Sequence, residues 1–196
     1  MTEIDREIKE WEGGFGIKLL RKIGIRPAQN ILDFGCNKGN YSIPAAKIVG
    51  KTGRVFALDI DSKALDELMK TAKSEGLTNI EKVNTSGELN IPIENELIDA
   101  VLIFDVIHLM GWEENKKRSL RKDRKKLYKE IWRIAKPNAI ILVYPNHLKT
   151  HTDISSIEDV RKEIEDSGFV FENDLHEILI HDNELMKGHI LNFKKQ

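Results

Sequence analysis

Cysteine is nearly absent: Cys36 is the one such residue in 196. An internal disulfide is therefore impossible, and stability has to come from a packed core. A reducing, cytoplasmic setting is the expectation. Long apolar runs are missing too. The longest, Ala100–Phe104 and Ala139–Tyr144, fall far short of the ~20 residues of a membrane span. The opening MTEIDREIKEWE lacks the apolar stretch of a signal peptide. No membrane partner is expected. Neither sign of charge is in excess, since 31 Lys and Arg stand against 32 Asp and Glu. The net charge of -1 argues neither for nor against nucleic acid. Repeats and low-complexity linkers are also absent. What is there, 40% hydrophobic and 32% charged residues, suits one globular domain.

The order of elements follows from periodicity and punctuation. Ile8, Trp11, Phe15, Leu19 and Ile23 recur at helical spacing, so the segment to Ile25 reads as helix despite Gly13, Gly14 and Gly16. Strands are expected at Asn30–Phe34, Arg54–Asp59, Ile80–Asn84, Ala100–Phe104 and Ala139–Tyr144. Helices are expected at Tyr41–Val49, from Ser62 to about Ser74, from about Glu113 to Ala135, and over Ser156–Ser167. Ser62 is a candidate cap, with Asp61 read as part of the turn or as a cap for the same helix; Ser155 or Ser156 is another candidate cap, and Gly76, Pro137 and Gly168 are stops. Two last strands, near Phe169–Leu175 and His189–Lys194, are separated by too little chain for a crossover. They should pair as an antiparallel hairpin at one edge. The fold class is thus α/β: a doubly wound, mostly parallel seven-stranded sheet with helices on both faces. Residues 1–196 read as a single domain, with a helical segment at 1–29, a core at 30–144 and a closing part at 145–196.

The first strand runs into Asp33-Phe34-Gly35-Cys36-Asn37-Lys38-Gly39. A strand, a tight glycine turn and an immediate helix form a ligand loop of open parallel sheets. Gly35 allows a sharp turn, and Gly39 lets the helix start close to a ligand. The dinucleotide pattern Gly-x-Gly-x-x-Gly fits poorly, because Asn37 and Asn40 stand at its second and third glycines. A nicotinamide dehydrogenase is disfavoured on that ground. Asp-x-Gly-x-Gly-x-Gly fits better, with Asp33, Gly35 and Gly39 in place. Asn37 departs from it but tolerates positive φ.

That loop resembles motif I of the Rossmann-like, class I S-adenosylmethionine-dependent methyltransferases, of the small-molecule "type 11" kind. Four further segments resemble the same family in the same order. Asp59, with Ile60 beside it, matches the acid that binds ribose hydroxyls. Thr85-Ser86-Gly87 stands where the family holds adenine, with Ser86 in place of the usual acid. Phe104 and Asp105 end a strand like the family's Phe/Ile-Asp-x-Val strand, next to the methionine end of the cofactor. Lys136-Pro137-Asn138-Ala139 resembles the Lys-Pro-Gly-Gly turn, with both glycines replaced. The resemblance covers about Ile31 to Tyr144. It implies S-adenosyl-L-methionine as cofactor, bound by Asp33, Gly35, Cys36, Asn37, Gly39, Asp59, Ile60, Ser86, Gly87, Phe104 and Asp105.

Methyl transfer from a sulfonium asks the protein to orient the acceptor and exclude water. A base is needed only where the nucleophile carries a proton. His108, just past the fourth strand, is the catalytic candidate, weighed against a packing role. Cys36 near a helix start is weighed as a reactive thiol against a small filler. His147 and His151 are four apart, but no third ligand is visible, so no metal is expected. The run Lys116–Lys126 is the one charge anomaly. It reads as the solvated face of a helix, with contact to RNA as the sharper alternative. Three readings stay open: a methyltransferase for a small-molecule acceptor, an RNA methyltransferase, and a cofactor-binding protein without catalysis.

Overall fold

A computed structural model describes residues 3–87, 89–110, 121–148 and 152–196. The strands are β1 Asn30–Phe34, β2 Arg54–Asp59, β3 Ile80–Asn84, β4 Ile98–Phe104, β5 Ala135–Tyr144, β6 Val170–His181 and β7 Glu184–Lys194. They form one seven-stranded sheet in the order β3-β2-β1-β4-β5-β7-β6. The pairs β1–β2, β2–β3 and β4–β5 are parallel, and β7 runs antiparallel to β5. The helices are α1 Glu3–Glu10, α2 Gly16–Lys22, α3 Ser42–Val49, α4 Ser62–Ser74, α5 Arg121–Ile134 and α6 Ile157–Glu165. The expected fold class is the one observed.

The chain divides into two compact units, 1–87 with 176–188, and 88–175 with 189–196. In the first unit, β1 and β2 are apolar and almost wholly buried, as strands covered on both faces must be. A π turn over Trp11–Phe15 links α1 to α2 and takes up Gly13 and Gly14. Trp11 is fully buried, packs edge-on against Tyr41 and donates its indole N–H to the carbonyl of Asn40. The Tyr41 hydroxyl donates to the carbonyl of Ile180 at 3.0 Å. The start of α3 is thereby held to both the opening helices and the tip of the last hairpin. Asp61 caps α4, accepting from Lys63 N at 2.9 Å and Ala64 N at 3.3 Å. Of the two candidates, Asp61 is thus the cap and Ser62 is the first helical residue. A carboxylate gains more than a hydroxyl from the free amides and partial positive charge of a helix start.

In the second unit, β4 and β5 pair from Ile98↔Ala135 to Phe104↔Tyr144, with a register shift after Ile98. The extra residues of β5 hold Lys136-Pro137-Asn138, so Pro137 lies in an irregularity where its missing N–H costs no ladder bond. The helix before it already ends at Ile134. Asn138 has φ 66°, the left-handed backbone a glycine would otherwise supply. Arg124 is fully buried in α5 and forks onto Glu163 of α6 at 2.9 and 3.0 Å, with Asp153 at 2.7 Å. Ser156 caps α6, accepting from Asp159 N at 3.1 Å. The expected helix from Glu113 is described from Arg121 onward, and residues 111–120 lie outside the described residues. The last two strands run much longer than expected and meet at Asp182-Asn183. Both residues have positive φ, 48° and 68°, as a two-residue hairpin turn requires.

Candidate active site

In the first unit, the loop after β1 turns over the end of β2. Gly35 N and Cys36 N both donate to the carbonyl of Leu58, at 2.8 and 3.0 Å. Gly35 has φ 76° and Asn37 has φ 48°, so the asparagine takes the left-handed backbone expected of it. Asn37 N donates to Asp59 Oδ2 at 2.8 Å, and Asp61 N to Asp59 Oδ1 at 2.9 Å. The Asp59 carboxylate is thus fixed from both sides. It has about four lone-pair positions, so each oxygen keeps the capacity to accept a hydroxyl. Asn84 donates its amide to the carbonyls of Asp59 and Ile60, at 3.1 and 3.3 Å. These bonds set the exit of β2 from β3.

Ile60, 67% exposed, presents an apolar side chain directly after Asp59. A Cβ placed on Gly87 would lie 3.9 Å from Ile60 Cγ2, so these two expected residues come together. Ser86 is exposed in the same bend. Gly39 has φ 94°, and a Cβ there would lie 2.1 Å from Leu68 Cδ1. Its missing side chain makes room for α4, a packing demand that the loop pattern did not reveal.

Asp33 is buried and accepts from Ser42 Oγ at 2.6 Å. Burial drives its carboxyl up to about 7, opposed by the Ser42 hydrogen bond and aided by the Asp59 charge. Cys36 is buried beside it. Burial, with Asp33 and Asp59 nearby, pushes the thiol well above its ordinary range, so Cys36 is a neutral filler. Ser42 was missed in the sequence. Its only signal is a hydroxyl at the first position of the helix that follows the loop.

In the second unit, the exits of β4 and β5 lie side by side. Asp105 N donates to the Tyr144 carbonyl at 3.0 Å, and Asp105 has φ 54°, the left-handed backbone that aspartate tolerates better than most non-glycine residues. Phe104 and Tyr144 meet edge-on at 6.5 Å. His108 is buried in a short 3₁₀ turn, Ile107–Leu109, with Nδ1 3.5 Å from Asp105 Oδ1. Its ring lies 4.9 Å from that of His147. Burial, then the Asp105 charge, raises the Tyr144 hydroxyl to about 12, which keeps it a neutral hydroxyl at physiological pH. The structure therefore brings Asp105 and His108 together, with Tyr144 and His147 beside them. His147 was weighed in the sequence only as a metal ligand with His151, which lies outside the described residues. Tyr144 was read only as the end of a strand.

The profile of a family described as "Methyltransferase domain" matches residues 31–138, more than half of the chain. A probable cobalt-precorrin-6B C(15)-methyltransferase of Saccharolobus solfataricus is 29% identical over 104 residues, 53% of this chain and 52% of that protein. A demethylmenaquinone methyltransferase of Lactobacillus johnsonii is 26% identical over 127 residues, 65% of this chain and 48% of that protein. The chain spans about half the length of these curated relatives. A crystal structure described as a SAM dependent methyltransferase from Aquifex aeolicus superposes with a TM-score of 0.72, at 19% identity, over 99% of both chains.

Proposed function

The chain belongs to the methyltransferase-domain family, and from that premise we propose that it transfers the methyl group of S-adenosylmethionine to a small-molecule acceptor. The observation that carries this reading is Asp59, a carboxylate fixed by two backbone amides with acceptor capacity left on each oxygen. Ribose offers two adjacent hydroxyls, and one such carboxylate can accept from both. Ile60, so largely exposed, gives an apolar face for adenine, and Gly87 beside it has no side chain to obstruct one. These residues fit the cofactor. When bound, it supplies an electrophilic methyl group on a sulfonium.

The chain's own residues supply the rest. In this reading His108 takes the proton from the acceptor's O–H or N–H as the nucleophile forms its bond to carbon. Asp105, with Oδ1 3.5 Å from Nδ1, faces that side of the imidazole and leaves Nε2 to accept. Phe104 and Tyr144 border the acceptor and restrict water. The acceptors in the printed names of the two curated relatives, a cobalt-precorrin and demethylmenaquinone, are small molecules, which supports that class here.

The test is calorimetric titration with S-adenosylhomocysteine. Wild-type protein should bind with a dissociation constant on the order of micromolar, and Asp59→Ala should weaken it at least tenfold, the loss of roughly 1.4 kcal/mol or more. Unchanged affinity in a folded Asp59→Ala protein refutes the ribose role. Titration with NAD should give no heat of binding.

A further inference from the structure

The second unit carries a feature that methyl transfer leaves unused. An open cleft of about 270 Å³ is lined by Lys125, Lys129, Trp132, Asp166 and Ser167. Lys125 and Lys129 are exposed and stand one turn apart on α5, ~6 Å along the axis. Neither is ion-paired among the described residues. Asp166, the one acid in the lining, is taken by Arg121 at 3.0 Å. The Ser167 hydroxyl donates to the Glu163 carbonyl at 3.0 Å. Among the described residues, the cleft therefore holds two cations without an ion-pair partner.

Its aromatic wall is rigid. Lys195 Nζ donates to the carbonyls of Trp132 and Ala135 at 2.8 Å each and stands 5.0 Å from the centroid of the Trp132 ring. Phe169 meets the same ring edge-on at 5.1 Å. Gly168, at φ 102°, lets the chain approach so closely that a Cβ would lie 3.3 Å from the indole. The cleft sits where β5 begins. Asp105 and Tyr144 sit where β4 and β5 end, six residue steps along β4 or roughly 20 Å away.

Two free ammonium groups beside a fixed, half-buried indole match a ligand with an anionic group attached to a planar ring. We propose that this cleft binds a nucleoside phosphate, the phosphate between Lys125 and Lys129 and the base against Trp132. The same chemistry can come from a free nucleotide or from one residue of an RNA strand. The inference stands whatever the methyl acceptor is.

The probes are UMP and a ten-residue oligouridylate, followed by indole fluorescence with excess S-adenosylhomocysteine present. A uracil nucleotide is chosen so that an adenosine site does not compete for it. Either probe should quench emission in wild-type protein at 50 mM salt. The quenching should vanish in Trp132→Phe. The double variant Lys125→Gln, Lys129→Gln should lose at least tenfold in affinity with an unchanged melting curve. For the strand, one neutralised phosphate predicts about a threefold loss between 50 and 200 mM salt. Oligouridylate at least tenfold tighter than UMP assigns the strand as the source, and equal affinity assigns the free nucleotide. No binding of either probe at 50 mM salt overturns the proposal. So does unaltered binding in the lysine double variant, or quenching that persists in Trp132→Phe. Equal competition by inorganic phosphate at matched ionic strength overturns the part played by the base.

Discussion

Replacing Asp33 by Asn should stabilise the protein at neutral pH and leave it little changed in acid. Asp33 is 2% exposed, and its carboxyl sits at about 7 against an ordinary 3.8. Between those values the unfolded chain has released the proton and the folded chain still holds it. Stability therefore falls as pH rises across that window, by ~1.4 kcal/mol per pH step and about 4 kcal/mol in all. The contribution is fully favourable below pH 3.8 and is lost as pH passes 7. Asparagine keeps an oxygen for the Ser42 hydroxyl and carries no charge, so it mimics the protonated acid at every pH. Urea unfolding of both proteins at pH 5 and pH 8 isolates the effect, because the other titrating groups cancel in the difference. The advantage of Asp33→Asn should grow by about 3 kcal/mol between pH 5 and pH 7 and then level off. A difference that does not change with pH would show that Asp33 titrates as an ordinary carboxylate, and the reasoning from burial would fail.

Three further outcomes follow from the same geometry. Gly39→Ala places a methyl group 2.1 Å from Leu68 Cδ1 at φ 94°, and should cost ~1–3 kcal/mol in urea unfolding. Adding Leu68→Ala should relieve the clash, so strictly additive losses would argue against it. Arg124→Ala leaves the buried Glu163 without its fork and should destabilise by about 3–5 kcal/mol, and a change below ~1 kcal/mol would count against a structural role for that pair. His108→Gln should reduce turnover of a proton-bearing acceptor by ~10²-fold or more and remove the acidic limb of the pH–rate profile. S-adenosylhomocysteine affinity should stay the same, and an unaltered rate would remove His108 from the chemistry.

The first two strands were legible because each is a short, mostly apolar run close to glycine or proline, and β3 because its two buried residues, Ile80 and Val83, stand between polar ones. β1, β2 and β3 begin and end at the expected residues. The hairpin was legible only in part. Its inner half holds only a three-residue apolar run, Ile178-Leu179-Ile180, among polar neighbours, and the buried pair is the adjacent Leu179 and Ile180 rather than an alternating set. Without period-two alternation the local pattern does not mark a strand of this length. The Asp182-Asn183 turn was in principle readable, since both residue types accept positive φ. Of the site, what could be read was what depends on one loop: Asn37 at positive φ and Asp59 at a strand end. The Asp33–Ser42 hydrogen bond depends on how α3 leaves the loop, and the pairing of Asp59 with Asn37 N depends on the register of β1 and β2. Neither is set by local sequence.

The basic run on α5 shows how a charge pattern conceals two roles. Read along the chain, Arg121, Lys122, Arg124, Lys125 and Lys126 form one solvated block. Read by helical spacing, Arg124 falls on the stripe of Leu127, Tyr128 and Ile131, all fully buried. An arginine on that stripe has to be desolvated, which is tolerable only with carboxylates in hydrogen-bonding reach. Glu163 and Asp153 provide them from segments about thirty to forty positions later in the chain. Arg124 thus fastens α5 to α6 and is unavailable to any ligand. The cations left for an anion are those turned away from the stripe, Lys125 and Lys129 among them, and Trp132 follows on the same side. Holding Arg124 inside therefore fixes which face of α5 the lysines present, and the Trp132 cleft depends on that buried pair although it touches neither of its members.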